Sequence, residues 1–577
     1  MTAAVLIAPI AIRLALMSGE LGVPDLRGLF ADVVVCLFVT AILLLARRLA
    51  LPLITLWCVL NYGSYEHVVA LGTLPSLTQV GYLTDGTFLL GSALVPSQPL
   101  QLAGILCVSW LLVWHSKQTK VVGTAIAALV GLCALLLWPT NPEALTWRQT
   151  NVVAANVRWL VTPTTIASTN PPTTDSFYQR DLSGEPIVEL GQARNVLLVM
   201  LEGLSGVHIG SIAEAHDIFI PVKMSRLDRV AQQNVLYTSF VAQQRQTNRG
   251  EYAMLCGDYP KLVATSVSPA KMTEALSHDS VPCLPNVLRD VGYETVYLQA
   301  APLGFMSKDK FMPKAGFAHV HGVEWFKPPY AAGPWGVGDK PFFEQSLQMV
   351  RALTQRPKPW FLTLLTVGTH HPYVMPGGHG EFPAAADYLD EVFAPFLVEL
   401  REMGVLDNTL VLITSDESVG LIGFRSSSLA DTKVDDVTKK LTDGWGFLVA
   451  MLPTGEQARV DGDFMQSDLA LSVVDYLGVQ LGGFIGRSVF RSYDQPRPIV
   501  FGSLSRQIVV MRDGHHLLVC PANFEGCMTY VLLDGRLFSL DRVKVSTDPR
   551  KVELLRAVVA RTDLETQQTR RETLYQE

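Results

Sequence analysis

Residues 245–257 read RQTNRGEYAMLCG and place one hydroxyl group, that of Thr247, between Arg245 and Arg249 at the start of an apolar, helix-like stretch. Two interpretations fit this pattern. Thr247 is a helix N-cap whose oxygen accepts a backbone N–H of the first turn, or it is a nucleophile held where an anionic substrate is attracted. The choice depends on which residues lie near Thr247 in the folded chain.

Other residue types suited to catalysis follow apolar runs of strand length. Five of them follow three such runs: Glu202, His370, His371, Asp416 and Glu417. Ligands of open parallel sheets gather at the carboxyl ends of the strands, and carboxylates and imidazoles there can bind Mn²⁺, Mg²⁺ or Zn²⁺. Taken singly, an acid after a strand is commonly a helix N-cap, and a His-His-Pro-Tyr segment is commonly an ordinary loop. Their combination around Thr247 indicates a metal site.

The elements that position these residues alternate along the chain. Apolar runs of strand length occur at 195–203, 294–300, 360–367, 409–415 and 445–452, with helical patterns such as 385–404 between them. This alternation predicts an α/β domain with a mostly parallel sheet over residues 191–500. Residues 501–577 contain Asp-Gly hairpin signals and a polar helical tail, which predict a small β-rich extension.

The first 140 residues are nearly free of acids and predict a transmembrane domain. Five apolar runs, two of them weak, approach the length that spans a bilayer: 3–22, 28–46, 50–66, 98–114 and 121–138. The basic residues at 47–48 and 117–120 predict cytoplasmic loops. We therefore expect a multi-pass protein of the plasma (inner) membrane, with a linker at 141–190 and the catalytic domain outside the cytoplasm, in the periplasm or the extracellular space.

The eight cysteines divide equally between these two regions. Four lie in the apolar runs, and Cys256, Cys283, Cys520 and Cys527 lie in the exported part. An even number in an oxidising compartment suggests disulfides. Of three possible pairings, 256–283 and 520–527 are favoured because each closes a short loop; four free thiols are the alternative.

A family resemblance rests on five segments in a fixed order: NVLLVMLEG, RQTNRGEYAMLCG, LTVGTHHPY, ITSD and QSDLALSVVDYLGVQLGGFIGRSVF. The sequence resembles the lipoteichoic acid synthase group, which are membrane-anchored phosphoglycerol transferases of the alkaline phosphatase and sulfatase superfamily. The resemblance covers about residues 190–495. Its most specific motif is Thr-x-Arg-Gly-Glu at 247–251. The resemblance implies an alkaline-phosphatase-like α/β fold and a metal-dependent enzyme.

The resemblance also implies roles for single residues. Thr247 matches a nucleophile that is itself a metal ligand, and Glu202 and Asp416 match metal-binding acids. His370 matches a histidine beside the substrate's glycerol phosphate. Lys308 lies where relatives carry a phosphate-binding arginine, so it keeps the charge without the bidentate fork.

The chain departs from the family at Glu417, where relatives have the histidine of an Asp-His metal pair. Glu417 either replaces the imidazole, giving an all-oxygen site that favours Mn²⁺ or Mg²⁺ over Zn²⁺, or it leaves a damaged site that binds metal weakly. A third interpretation makes Glu417 an acid in the first turn of the next helix. Arg249 and Lys308 are the candidate cations for substrate binding and for balancing the acids.

The sequence thus predicts a transferase that moves phosphoglycerol from phosphatidylglycerol to an envelope glycan through a phosphothreonine-type intermediate, with Mn²⁺ as the favoured metal. His370 or His371 would assist as a base. The alternatives are a phosphoethanolamine transferase, a hydrolase of the sulfatase or phosphodiesterase type, and an inactive scaffold. A Cys/Ser-x-Pro-x-Arg sulfatase motif is absent around Thr247, and the net charge of −7 argues against a nucleic-acid partner.

The orientation can be tested by labelling single cysteines with a membrane-impermeant maleimide in intact cells. Because basic loops stay in the cytoplasm, we expect cysteines near residues 47–48 and 117–120 to be protected and a cysteine at residue 150 to be labelled. Protection of residue 150 would contradict the export of the catalytic domain.

Overall fold

The computed structural model describes the chain in fourteen stretches. They are residues 1–18, 24–77, 79–80, 86–89, 96–116, 121–137, 146–161, 172–218, 224–263, 282–330, 332–376, 378–421, 434–503 and 506–562. The predicted basic loop at 117–120, residues 141–145 and 162–171 of the predicted linker, and the end of the predicted helical tail lie outside these stretches.

The N-terminal region is helical. Its helices of ten or more residues are α1 (Thr2–Ser18), α2 (Leu26–Leu45), α3 (Ala50–Leu71), α4 (Pro99–Trp114), α5 (Val121–Leu137) and α6 (Val152–Val161). Among the described residues, α2 alone has the length and hydropathy of a membrane-spanning helix, and α1, α4 and part of α5 are shorter apolar helices. The five-span arrangement therefore stays a prediction.

These helices share a hydrophobic core of their own, drawn from residues between Ala4 and Ala154. Arg13, which interrupts the first predicted span, is buried in it and forms an ion pair with Asp32 of α2. Its guanidinium also donates to the carbonyl oxygen of Trp147 at 2.8 Å. A buried charge needs such partners, so Arg13 joins α1 and α2 to the segment that leaves the helical region.

An eight-stranded sheet forms the centre of the remaining chain. Its strands are β1 (Asn195–Met200), β2 (Val235–Val241), β3 (Glu294–Gln299), β4 (His319–His321), β5 (Trp360–Leu365), β6 (Thr409–Thr414), β7 (Trp445–Met451) and β8 (Ala458–Met465). Their order across the sheet is β8-β2-β7-β6-β1-β5-β3-β4. Only β7 runs antiparallel to its neighbours, so the predicted mostly parallel sheet is confirmed.

Helices cover the sheet on both faces. The α-helices of this part, all of at least six residues, are α7 (Gly210–Ala215), α8 (Ser225–Gln232), α9 (Thr247–Cys256), α10 (Leu284–Asp290), α11 (Lys308–Ala315), α12 (Asp339–Thr354), α13 (Phe382–Glu402), α14 (Asp436–Leu441) and α15 (Asp468–Leu477). Alternate residues of β1 enter two different hydrophobic cores, Leu197 and Val199 on one face and Val196 and Leu198 on the other. A strand buried on both faces reads as a continuous apolar run, which is why β1 could be recognised from sequence.

The C-terminal part is a five-stranded antiparallel sheet followed by a helix. It contains β9 (Ile499–Ser503), β10 (Ile508–Asp513), β11 (His516–Pro521), β12 (Met528–Leu532), β13 (Arg542–Val545) and α16 (Pro549–Ala560). The Asp-Gly pair at 513–514 turns β10 into β11, as predicted. Gly502 of β9 pairs with Gln244, so this sheet lies beside the segment that leads into Thr247.

Both expected disulfides are present. Cys256 is bonded to Cys283, and Cys520 is bonded to Cys527. The first joins the end of α9 to the start of α10, and the second lies between β11 and β12 in the C-terminal sheet. The four cysteines of the apolar helices are free.

The topology brings the candidate site residues to one edge of the sheet. Because β1, β2, β3, β5 and β6 are mutually parallel, the segments after them all begin at the same edge. Glu202, Thr247, Lys308, His370 and Asp416 belong to these segments. The antiparallel β7 starts at this edge, so Asp443, two residues before it, lies there too.

Gly250 allows α9 to approach the end of β6. A Cβ atom at residue 250 would lie 1.7 Å from the carbonyl oxygen of Asp416. The same oxygen accepts a hydrogen bond of 2.7 Å from the Gln466 side chain, which fixes its position. The first turn of α9 therefore touches the Asp416 backbone only because residue 250 has no side chain.

Replacing Gly250 with alanine should destabilise the protein, although alanine favours helices by about 1 kcal/mol. A clash in a packed region costs typically 1–3 kcal/mol or more, so we expect a lower melting temperature and a loss of activity. Gly304→Ala is the matched control, since a Cβ atom at residue 304 would have nothing within 4 Å of it. Equal melting temperatures for the two variants would show that the close approach does not constrain the fold.

Candidate active site

Thr247 is the first residue of α9, and the N-cap position is occupied by Gln246. The carbonyl oxygen of Gln246 accepts the backbone N–H groups of Arg249 at 2.9 Å and Gly250 at 3.1 Å, as an N-cap residue does. The interpretation of Thr247 as the N-cap is therefore wrong. Its hydroxyl instead forms a hydrogen bond with the Asp416 carboxyl group. Burial raises the pKa of Asp416, and this hydrogen bond offsets part of the rise.

Two further carboxyl groups, those of Glu202 and Glu417, interact with the Asp416 carboxyl group. Asp416 is fully buried, and its Oδ1 accepts the backbone N–H of Gly203 at 2.9 Å. Gly203 has a φ of +63°, which suits glycine, and directly follows Glu202. The turn after β1 is thus bonded to the turn after β6, which brings the two acids together.

The pKa values of all three acids are raised above their usual values. Burial is the largest cause in each case, and the negative charge of Asp416 is the next for Glu202 and for Glu417. The pKa of Glu202 rises well above its usual value, and that of Glu417 rises to about 8. Like charges in a buried place need a cation.

Lys308 supplies one such cation. It is buried at the start of α11, and its ammonium forms an ion pair of 2.9 Å with Glu251 and donates to Gln299 at 3.1 Å. Its charge lowers the pKa of Glu202, Asp416 and Glu417. The Tyr297 hydroxyl also donates to Glu251, at 2.5 Å, so Glu251 holds Lys308 beside the acids.

Arg245 supplies a second cation. Its charge lowers the pKa of Glu417, and its guanidinium lies 3.5 Å from the carboxylate of Asp443. It also donates to the carbonyl oxygens of Ala70 and Leu71, both at 3.0 Å, at the C-terminal end of α3. Arg249, expected from sequence as a substrate-binding cation, is buried in the first turn of α9. Of the two arginines that flank Thr247 in the sequence, Arg245 is the one whose charge acts on Glu417.

The two histidines differ in their surroundings. Nδ1 of His370 lies 2.7 Å from the carbonyl oxygen of His371, and its ring packs at a tilt against that of Trp335, with the ring centres 4.5 Å apart. Burial lowers the pKa of His370 to about 4, with a smaller contribution from Lys308. A neutral ring that donates from Nδ1 carries its lone pair on Nε2. His370 is thus a neutral acceptor near Lys308, whereas the ring of His371 packs at 5.3 Å against that of Tyr373.

Comparisons with known proteins point to one family. The sequence profile of the Sulfatase family matches residues 194–479, the stretch that contains the sheet and all these residues. Residues 194–479 form a sulfatase-family domain. A phosphoglycerol transferase I of Xanthomonas campestris is 26% identical over 273 residues, which are 44% of this chain and 38% of the relative. A phosphoglycerol transferase I of Escherichia fergusonii is 27% identical over 150 residues, 23% of this chain and 20% of the relative. The chain thus spans less than two fifths of the length of these curated relatives.

Solved structures show the same fold. A Vibrio parahaemolyticus protein of the alkaline phosphatase superfamily superposes with a TM-score of 0.54 at 16% identity, covering 70% of this chain and 95% of that one. The lipoteichoic acid synthase LtaP of Listeria monocytogenes gives a TM-score of 0.50 at 14% identity, covering 65% and 93%. The sulfatase-family domain therefore has the α/β fold of the alkaline phosphatase superfamily, as expected from the sequence.

This superfamily is generally metal-dependent, and the residues of the sulfatase-family domain fit a divalent cation. Oδ2 of Asp416 is buried and makes no hydrogen bond with the described residues. The neighbouring donors are the carboxyl groups of Glu202 and Glu417 and the hydroxyl of Thr247, all oxygen ligands of the kind that Mn²⁺ or Mg²⁺ takes. Within the described stretches no three His, Cys, Asp or Glu side chains form a complete metal site by themselves. The hydroxyl of Thr247 or water molecules would complete the ligand set.

Sequence reasoning missed Glu251, Tyr297, Asp443 and the role of Arg245. Glu251 is part of the Thr-x-Arg-Gly-Glu motif and precedes a helical apolar run. An acid in such a position could have been recognised from the sequence as a residue that needs a buried cationic partner. The partners of Arg245 are more than 170 residues away in the chain, so no local pattern could have revealed them.

Glu417 is the residue whose contribution can be measured most cleanly. If it is a ligand, Glu417→Gln removes a charge and should weaken Mn²⁺ binding by at least about tenfold, since losing a buried charged partner costs about 1.5–3 kcal/mol. Glu417→His should restore binding and shift preference toward Zn²⁺. Calorimetric titration of the full chain with Mn²⁺ and Zn²⁺ measures both effects.

The matched control for these titrations is Glu344→Gln, an exposed acid on α12. Equal Mn²⁺ affinity in the wild type and in Glu417→Gln would exclude Glu417 as a ligand. Residues 417–421 form a bend and a turn rather than a helix, so they do not support the interpretation of Glu417 as a first-turn helix acid.

Proposed function

We propose that the protein is a membrane-anchored, metal-dependent transferase that moves phosphoglycerol from phosphatidylglycerol to an envelope glycan outside the cytoplasm. The placement of Thr247 carries the proposal. Its hydroxyl is at the N-terminus of a ten-residue helix, beside the Asp416 carboxylate and two residues after Arg245. A nucleophile needs a proton acceptor, and a phosphodiester needs positive charge around it.

The relatives support the choice of reaction within the superfamily. The two curated relatives are named phosphoglycerol transferase I, and one of the similar structures is a lipoteichoic acid synthase. Sulfatases and phosphodiesterases are the alternatives within this fold, and the absence of a Cys/Ser-x-Pro-x-Arg motif around Thr247 argues against the sulfatase. The head group and the glycan acceptor belong to the proposal and are tested below.

In the first half-reaction the Thr247 oxygen attacks the phosphorus of the lipid head group. The hydroxyl proton passes to the Asp416 carboxylate, which then donates it to the departing oxygen of diacylglycerol. The bond between phosphorus and diacylglycerol breaks as the bond to Thr247 forms, leaving a phosphoglyceryl-threonine. Lys308 and Arg245 stabilise the additional negative charge on phosphorus oxygens. A bound divalent ion would supply Lewis acidity that lowers the pKa of the threonine hydroxyl.

In the second half-reaction an acceptor hydroxyl attacks the same phosphorus. Nε2 of the neutral His370 accepts the proton of that hydroxyl, and the bond to the Thr247 oxygen breaks. The proton held by His370 then passes through solvent to the released Thr247 oxygen, which restores both groups for the next turnover. His371 assists through its backbone, because its carbonyl oxygen accepts from Nδ1 of His370 and from Trp335 at 2.9 Å.

Membrane anchoring fits this reaction because the donor is a lipid. The apolar helix α2 is long enough to cross a bilayer, and the end of α3 contacts Arg245 beside the nucleophile. The helical region would therefore hold the reaction centre close to the membrane surface.

Substitution of Thr247 tests the proposal. We expect Thr247→Ala to abolish transfer of labelled head groups from phosphatidylglycerol, to less than about one thousandth of the wild-type rate, because nothing else at the site can take the phosphoryl group. Thr247→Ser should retain part of the activity. The melting temperature should change little, because the lost polar contact contributes only about 1 kcal/mol.

Thr454→Ala, at an exposed threonine that bonds to Glu456, is the matched control and should behave as the wild type. Full turnover by Thr247→Ala would exclude it as the nucleophile. Faster transfer from phosphatidylethanolamine than from phosphatidylglycerol would replace the proposed head group with ethanolamine.

A further inference from the structure

A second group of cations lies beside the reaction centre. It consists of Arg245, Lys439 of α14 and Arg506 between β9 and β10, and we call it the cation cluster. Asp443 links two of its members, since its carboxylate lies 2.7 Å from Nε of Arg506 and 3.5 Å from Arg245. The mechanism above uses Arg245 but neither Lys439 nor Arg506.

Arg506 has donors that the fold leaves unused. Its side chain is 1% exposed, and Nη1 and Nη2 are buried without a hydrogen bond among the described residues. Buried arginine donors are normally satisfied, because leaving them unpaired costs free energy. The two free N–H groups of a guanidinium form a planar fork that matches the oxygens of a phosphate.

Lys439 is the member of the cluster that forms no ion pair within the described part of the chain, although it is only 8% exposed. The nearest acid on its helix, Asp436, is already paired with Arg148 at 2.7 Å. Burial is the main cause that lowers the pKa of Lys439. Asp436 and Asp435 oppose this effect, and the charges of Arg148 and Arg506 add to it.

The unmatched groups of the cluster are on Lys439 and Arg506. Asp436 is paired with Arg148, Asp443 lies between Arg506 and Arg245, and Arg245 also faces Glu417. Lys439 is left without an ion pair among the described residues, and Nη1 and Nη2 of Arg506 are left without acceptors there. Buried cationic groups in this state are costly unless an anion neutralises them. A phosphate group has the charge and the oxygen acceptors to do so.

We propose that the cation cluster binds the phosphate of a membrane phospholipid next to Thr247. Position favours a lipid over a soluble anion. Arg245 contacts the end of α3, and Arg148 follows Trp147, which is bonded to α1 through Arg13. Both contacts place the cluster where the helical region meets the sulfatase-family domain.

The role of this lipid site in the reaction rests on the proposed function. Arg245 belongs both to the cluster and to the surroundings of Glu417. A lipid whose phosphate lies on Arg506 and Lys439 is therefore one side chain away from the nucleophile. The cluster would hold the donor lipid at the membrane surface before its head group reaches Thr247.

Equilibrium binding tests the proposal without depending on turnover. The full chain carrying Thr247→Ala is placed in phosphatidylcholine nanodiscs and titrated with labelled short-chain phosphatidylglycerol. We expect Lys439→Gln to weaken binding about tenfold, the usual effect of losing one charged contact to a phosphate, and Lys439→Arg to restore it. Lys439 has no ion-pair partner among the described residues, so its replacement by glutamine leaves no acid unpaired and Lys439→Gln should fold normally. Arg506→Lys is a second variant, in which the positive charge opposite Asp443 is kept.

Lys340→Gln, at an exposed lysine of α12, is the matched control. Unchanged lipid affinity in both Lys439→Gln and Arg506→Lys would overturn the site.

Titration with inorganic phosphate identifies the source of the anion. We expect phosphatidylglycerol to displace bound phosphate from the wild-type cluster, and this displacement should be lost in Lys439→Gln. Phosphate binding that the lipid does not displace would overturn the lipid as the occupant. If transfer activity were absent while binding behaved as expected, the proposed function would fail and the site would stand.

Discussion

The concentration of negative charge at one buried edge of the sheet is the constraint on which the site depends. Burial raises the pKa values of Glu202, Asp416 and Glu417, and the charge of Asp416 raises those of the other two further, so the three can stay ionised together only beside positive charge. Lys308, fixed by Glu251, supplies that charge on one side, and Arg245, fixed by Asp443 and the end of α3, supplies it on the other. A divalent cation would neutralise the negative charge of the acids that these two cations leave unbalanced. The fold thus creates a place where a metal ion would be stabilised.

The positions of the acids follow from strand direction. Parallel strands deliver the residues after β1 and β6 to the same edge, and the bond from Gly203 to Asp416 closes the two turns on each other. The missing side chain of Gly250 lets α9 present Thr247 to this pair. The two acids were predictable because each follows a strand with a continuous apolar pattern. Thr247 follows β2, which was not among the predicted apolar runs, and was identified from a motif whose place in the order of segments resembles a known family.

Other parts were not predictable from the sequence, for a physical reason. The partner of Lys308 is Glu251, and the partners of Arg245 are backbone carbonyls of a helix about 170 residues earlier. Such contacts depend on how elements pack rather than on any local spacing. The same holds for Arg13, which seemed from sequence to weaken a span and is instead paired with Asp32 inside the helical core. Only one of the five expected spans has the length and hydropathy of a membrane helix among the described residues, because the second half of α3 carries polar residues.

The proposed chemistry depends on Thr247 carrying the transferred group. Peptide mass spectrometry of the full chain, after brief incubation with phosphatidylglycerol and without an acceptor, measures this directly. We expect a phosphoglyceryl adduct on the peptide that contains Thr247, and its disappearance when an acceptor glycan is added. Unmodified Thr247 under conditions in which diacylglycerol is released, or an adduct on another residue, would show that Thr247 is not the nucleophile.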